Sequence, residues 1–371
     1  DVQESYHDVH YRTSHRTLIA FSNEHFYGNR LQALPGHPDR QTLIAPVRLQ
    51  RVGGVYEQRT NRREAEAVVA LVDELLLLDE PPSLGIATFN LAQRDLIGDL
   101  LTERADEDPA FRGRYGAARN LTRSGAFEGL FVKNLENVQG DERDHIIIST
   151  TYGPDPEGKF FRRFGPLGTR GGGRRLNVLV TRARHKIHLL TSIPTSAYRH
   201  EQALPTGGTP SGSWLLFAYL RYAEAVEEWF RHLEATGQDL REAQRDVEEA
   251  QLDELTVRSR LVDATYDRMV AAAETDGSAP TIERYWGNDG FCVDLVVRHP
   301  GLDGRGLLID FARYEEAPDP IEWDLFATAL MRRLGWTLRR IFSPRIARDP
   351  NGSVESSLGR ADAEAETSGS R

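Results

Sequence analysis

Apolar residues recur along this chain with two different periods, and the switches between them mark out its elements. Short runs rich in β-branched and aliphatic residues predict buried strands at 84–89, 129–132, 145–150 and 186–190. Between them, 63–78 reads as an amphipathic helix, with Ala65, Val68, Val69, Val72 and Leu75 on one face. Strand and helix patterns alternate in this way from His10 to Ile193, the signature of a doubly wound α/β layer.

The pattern breaks at 200–214, where Pro205, Gly207, Gly208, Pro210 and Gly212 give a linker composition. Helical periodicity resumes to about Val270, first apolar and then heavily charged, as a solvated spacer helix would be. A second, smaller α/β unit follows, with strands expected at 291–297, 306–311 and 337–341 and a helix at 323–334. Beyond Ser343 the Ser, Gly, Glu and Ala content predicts a disordered tail. The expected domains are therefore an α/β lobe at 1–195, a linker and charged helix at 196–257, a second α/β domain at 258–345 and a tail at 346–371.

Composition changes this picture in three ways. With 371 residues and 39% hydrophobic content, the chain can bury a core in each of two domains. No apolar run is long enough to span a membrane, and the single cysteine, Cys292, excludes an internal disulfide, so the cytoplasm is the expected compartment. The net charge of −10 argues against a polyanionic partner on average, yet Arg162, Arg163, Arg170, Arg174, Arg175, Arg182 and Arg184 crowd one short stretch. The chain opens at Asp1, with methionine only at 269 and 331; the expectation is a piece of a longer protein with further sequence upstream.

That basic stretch contains the most informative chemistry. Leu176, Leu179, Val180 and Ala183 follow the spacing of a helix buried along one side, and Arg175 and Arg182, seven apart, are expected on another face. Two guanidiniums so placed can grip a polyanion or a phosphoryl transition state. The stretch 174–184 resembles motif VI of superfamily 1 nucleic-acid helicases. Three further segments resemble that family in its order: His10–Asn23 is similar to motif IV, Thr88–Gln93 to the motif that follows, and Val138–Asp144 to motif V.

The resemblance implies a RecA-like, P-loop-NTPase-type lobe without its own P-loop, and roles for particular residues. Arg182 would be the catalytic arginine finger and Arg12 a second arginine facing the γ-phosphate. Gln139, Gly140, Glu142 and Arg175 would bind nucleotide, Glu142 at the ribose; Asn23, Thr88, Asn90 and Thr150 would line the nucleic-acid track. ATP and Mg²⁺ are the implied cofactors, completed by an N-terminal RecA-like lobe of the same protein, and DNA or RNA the partner. The segment 153–160 matches P-loop spacing up to Lys159. It fails as a phosphate cradle: Phe160 replaces the Mg²⁺-binding hydroxyl, two prolines remove amide donors, and Asp155 and Glu157 repel phosphate. Alone, the chain is expected not to hydrolyse ATP.

In the second domain, Asp294 within an apolar strand and Asp310 after a turn have the order of the paired metal-binding carboxylates of PD-(D/E)xK nucleases. The stretch 258–345 resembles the Vsr-like endonuclease domain, itself restriction-endonuclease-like. Ala312, Arg313 and Tyr314 depart from the motif where it needs its third polar group. A degraded site, with no certain metal, is the expectation. His145 and His188 read as packing residues and Trp323 and Trp336 as core anchors. A metal-dependent endonuclease positioned by the helicase lobe, or a non-enzymatic nucleic-acid scaffold, are the rival readings.

Overall fold

The computed structural model describes residues 9–10, 13, 15–33, 45–199, 210–237, 259–275, 280–286, 293–300, 302–309, 328–333, 335–341 and 343–358. In chain order the first elements are β1 (Val9–His10), α1 (Thr17–Phe26), β2 (Gln32–Ala33), β3 (Val47–Arg51), α2 (Arg62–Leu76), β4 (Leu84–Thr88), α3 (Leu91–Glu107) and α4 (Pro109–Arg119). A small hairpin, β5 (Thr122–Arg123) and β6 (Ala126–Phe127), leads to β7 (Phe131–Asn134), β8 (Arg143–Ser149), α5 (Gly172–Val180), β9 (Ala183–Thr191), α6 (Thr195–Tyr198) and α7 (Gly212–Thr236). Then come α8 (Arg260–Thr275), β10 (Thr281–Trp286), β11 (Val293–Arg298), β12 (Arg305–Ile309), α9 (Thr328–Arg333), β13 (Thr337–Ile341), α10 (Ser343–Arg348) and α11 (Pro350–Leu358).

The chain divides into two compact units, the larger comprising Thr17–Asn29 and Leu43–Gly237. Its centre is a five-stranded parallel sheet in the order β3-β9-β8-β4-β7. Alternation along each strand divides the core into two faces. Ile146, Ile148, Ile187 and Leu189 join α1, α5 and α7 on one side, and Ile86, Ile147 and Leu190 join α2, α3 and α4 on the other. Covering both faces is why these strands read as nearly continuous apolar runs. This is the expected RecA-like α/β lobe.

The boundary at residue 195 needs correction. α7 lies in the segment assigned to linker, yet Leu215, Leu216, Phe217, Leu220 and Ala223 are buried in the lobe's core. Its polar side is also committed: Glu227 accepts the N–H of Leu49, and Glu224 pairs with Arg51 at 2.6 Å, so α7 guards the edge strand β3. Gly172 and Gly212 let α5 and α7 begin against the Leu167 carbonyl, where a Cβ at either would come within 2.0–2.1 Å.

The smaller unit carries a mixed four-stranded sheet, β10-β11-β12-β13, with only the β12–β13 pair parallel. Trp336 packs with Val293, Val296 and Leu308 on one face, and Leu295, Leu307, Val262 and Met269 pack on the other. The predicted tail is partly structured: α10 runs into it and α11 lies within it, with Ile346 and Val354 buried in that second face. Trp323 and positions 312–314 lie outside the described residues, as do Arg12 and Asp310.

Candidate functional site

The lobe presents chemistry at both ends of its parallel strands. At the amino ends, α5 stops at Val180 and the chain turns through Thr181 and Arg182 into β9. Arg182 is therefore not on the helix with Arg175, and the expected shared face does not form; Thr181 at φ −101°, its N–H bonded to Leu179, closes the helix. The Arg182 side chain is 12% exposed; its guanidinium lies 3.7 Å from the Glu142 carboxylate and donates to the Val178 carbonyl at 2.8 Å. The Arg143 N–H in turn donates to the Arg182 carbonyl, so the stretches 138–144 and 174–184 are stitched side by side.

Gln139 and Gly140 are exposed in the connection from β7 to β8, and Gly140 adopts φ +89°, a left-handed turn that glycine accommodates without cost. Arg175 points elsewhere. It donates to the Pro166 carbonyl and the Thr169 hydroxyl, both at 3.2 Å, and its nearest carboxylate is Glu136 at 3.7 Å. Arg184, two residues past Arg182, is structural: it pairs with Glu128 at 2.7 Å and Asp144 at 3.1 Å, and its hydrogen bond holds the Glu128 carboxyl below the usual range.

At the carboxyl ends, Thr88, Asn90 and Thr150 lie in one buried polar network. Thr88 donates to the Asn90 carbonyl, the Asn90 side chain caps α3 by accepting the Gln93 N–H, and Thr150 donates to Thr191. At the centre is Glu64, which the sequence reading missed. Fully buried on the first turn of α2, it accepts from the Ser149 hydroxyl at 2.8 Å, the Thr151 N–H at 2.7 Å and the Ser192 hydroxyl at 3.0 Å. Burial pushes its carboxyl up to about 7, and the hydrogen bonds oppose that rise. Gln93 bridges the network, donating to Ser149 and accepting from the Asn61 N–H. The signal was present: Asn61-x-x-Glu64 has the spacing of a capping box, of which only the Asn61 half forms because the Asn61 N–H goes to Gln93, and Glu64 falls on the apolar stripe of its helix.

Asn23 is half-buried on α1, where its carbonyl accepts the N–H groups of Tyr27 and Asn29. The segment with P-loop spacing forms a turn beyond β8, where Gly158 and Lys159 both donate their N–H to Asp155. In the smaller unit, Asp294 is buried on β11 and accepts the Ile309 N–H at 2.6 Å.

A family model described as an AAA domain, AAA_12, matches residues 3–193. The chain belongs to that family. The chain is also similar to proteins named as helicases. An uncharacterized ATP-dependent helicase of Mycoplasma genitalium is 35% identical over 219 residues, covering 58% of this chain and 18% of the relative. Its homolog in Mycoplasma pneumoniae is 35% identical over 222 residues, with the same coverage. A Saccharomyces cerevisiae protein whose name proposes an ATP-dependent RNA helicase is 31% identical over 153 residues, 36% of this chain and 13% of its own. The chain thus spans less than a fifth of the length of these relatives. Among the described residues no helix is long and apolar enough to cross a membrane.

Proposed function

We propose that this chain supplies the arginine-finger lobe of an ATP-driven superfamily 1 helicase or translocase acting on DNA or RNA. A RecA-like lobe preceding it in the same protein would hold the ATP phosphates and Mg²⁺. The observation that carries the reading is the turn at the amino ends of the strands, where Arg182 lies beside Glu142 and the Gly140 turn. A guanidinium already ordered by Val178 and Glu142 is pre-positioned for the charge that spreads over γ-phosphate oxygens as the bond breaks. Glu142 suits a ribose hydroxyl, with Gln139 and Gly140 shaping the turn; Arg12, outside the described residues, would be the second arginine. Arg175 would have to leave the Pro166 carbonyl and Thr169 to reach a nucleotide.

At the other ends of the strands, Thr88, Asn90 and Thr150 are spent on internal hydrogen bonds. Their proposed contribution to nucleic-acid binding is to hold the loops that contact the strand, and Asn23 would add a contact from α1. The smaller unit is proposed to be a degraded nuclease-like domain that binds strands or serves as structure, since the Asp294 carboxylate already accepts a backbone N–H.

The test is Arg182→Ala in a protein that also carries the P-loop lobe. ATP turnover should fall roughly 10³-fold or more, with ATP affinity changed by less than about threefold, as expected when only a transition-state contact is removed. Equal losses in turnover and affinity would mean that Arg182 merely binds ATP.

A further inference from the structure

The loop between β8 and α5 carries a feature that the arginine-finger reading does not use. From Gly158 to Arg175 the sequence holds Lys159, Arg162, Arg163, Arg170, Arg174 and Arg175 and no acidic residue, in a chain whose net charge is −10. The loop is also firmly seated. Phe164 and Leu167 are fully buried, Phe164 against Tyr152 and Phe217, and Phe160 packs on the same core. Arg162 is used as an anchor, its guanidinium over the Phe217 ring and donating to the Ala197 carbonyl.

With Phe160 and Phe164 turned inward, the residues between them are forced out. Phe161 is 54% exposed, a large ring held in solvent, and the Arg163 guanidinium lies 5.9 Å from its centre. Lys159 and Arg163, two residues before and after it in the sequence, are exposed as well. The loop leaves the sheet from the carboxyl end of β8, the edge at which open α/β sheets bind their ligands.

We propose that Phe161, flanked by Lys159 and Arg163, is a stacking platform for one base of a single-stranded nucleic acid. The ring takes the base and the two cations take adjacent phosphates. A paired base has no free face for Phe161, so the platform selects single strands over duplex. This rests on the nucleic-acid-binding part of the proposed function and names the residues that would carry it.

The experiment is fluorescence polarisation of the 371-residue chain with fluorescein-labelled dT and rU 20-mers, against a labelled 20-base-pair duplex, over a salt series. Phe161→Ala should weaken single-strand binding about tenfold, Phe161→Trp should restore it, and duplex binding should change by less than about twofold. Lys159→Ala with Arg163→Ala should flatten the dependence of affinity on salt by about 0.7 in log–log slope for each phosphate no longer neutralised. Circular dichroism melts should match the parent, because the side chain removed is exposed. Agreement of the dT and rU arms assigns the platform to both nucleic acids, and a difference assigns it to the arm that responds. If the parent binds the 20-mers and Phe161→Ala binds them equally, or loses duplex binding to the same extent, the platform is overturned while the nucleic-acid reading stands. If the parent binds none of the three probes, both fall.

Discussion

Glu64 and the histidine pair His145–His188 make opposite demands on acidity. The Glu64 carboxyl is pushed up to about 7 by burial, so folding favours its protonated form. Its stabilising contribution is complete below the unfolded value of 4.5 and is lost as pH rises through 7. His145 and His188 meet across adjacent strands, ring nitrogens 3.2 Å apart, and burial lowers them to about 4 and about 2. Their contribution is present above the unfolded 6.5 and is lost as pH falls toward those values. Between pH 7 and pH 5 each imidazole should therefore cost about 2 kcal/mol of stability and Glu64 should return about 2 kcal/mol. Glu64→Gln should make the fall in melting temperature over that interval steeper than in the parent, and His188→Gln should make it shallower. Parallel curves for all three would show that neither site titrates as its burial dictates. The network does more than titrate, because it holds Thr151, a β-branched residue at φ +69°, by the N–H that Glu64 accepts.

At the scale of elements, α7 is the part of the lobe that most needs a direct test. Phe21 on α1 meets Tyr219 edge-on at 5.0 Å, and Phe217 meets Phe164 at 5.4 Å, so the helix closes the core over α1 and the β8–α5 loop. Phe217→Ala should cost roughly 3–5 kcal/mol, read as a shift in the chemical-denaturation midpoint of the lobe; a shift worth under about 1 kcal/mol would return α7 to the status of a linker helix. The strands were legible because a sheet covered on both faces demands apolar residues at every position, and Ile146, Ile147 and Ile148 supply them. The docking of α7 was not legible, since a Pro- and Gly-rich stretch precedes it and charge follows it, and local composition says nothing about which surface is left to cover. Arg182 was misplaced for a related reason: helical spacing continues past Thr181 in the sequence, but the backbone does not. The reach of Glu64 into the sheet was hidden by its type, because an acid near a helix start normally serves the cap and the solvent.

Over the whole molecule, an acidic chain carries two α/β units whose candidate sites differ in how their charges are held. In the larger unit Arg182 is exposed enough, at 12%, and ordered enough by its neighbours to meet an incoming anion. In the smaller unit Asp294 is 2% exposed on an inner strand of the sheet, with one carboxylate oxygen bound to the Ile309 N–H. A metal at that position would have to compete with this 2.6 Å hydrogen bond, and the sequence holds Ala312, Arg313 and Tyr314 where the nuclease motif it resembles would supply its further polar group. Cleavage through bound metal needs several carboxylates and a further polar or basic group around one reacting phosphate, and an Asp294 carboxylate already bound to a backbone N–H is poorly placed to hold Mg²⁺ against water. The expected outcome with supercoiled plasmid and either Mg²⁺ or Mn²⁺ is no nicking above background. Asp294→Ala should leave nucleic-acid affinity within about twofold while lowering the smaller unit's stability by about 1–3 kcal/mol, because the Ile309 N–H loses its buried acceptor. Plasmid nicking that requires the metal and disappears in Asp294→Ala would instead make this unit a working nuclease, delivered to its substrate by the lobe that precedes it.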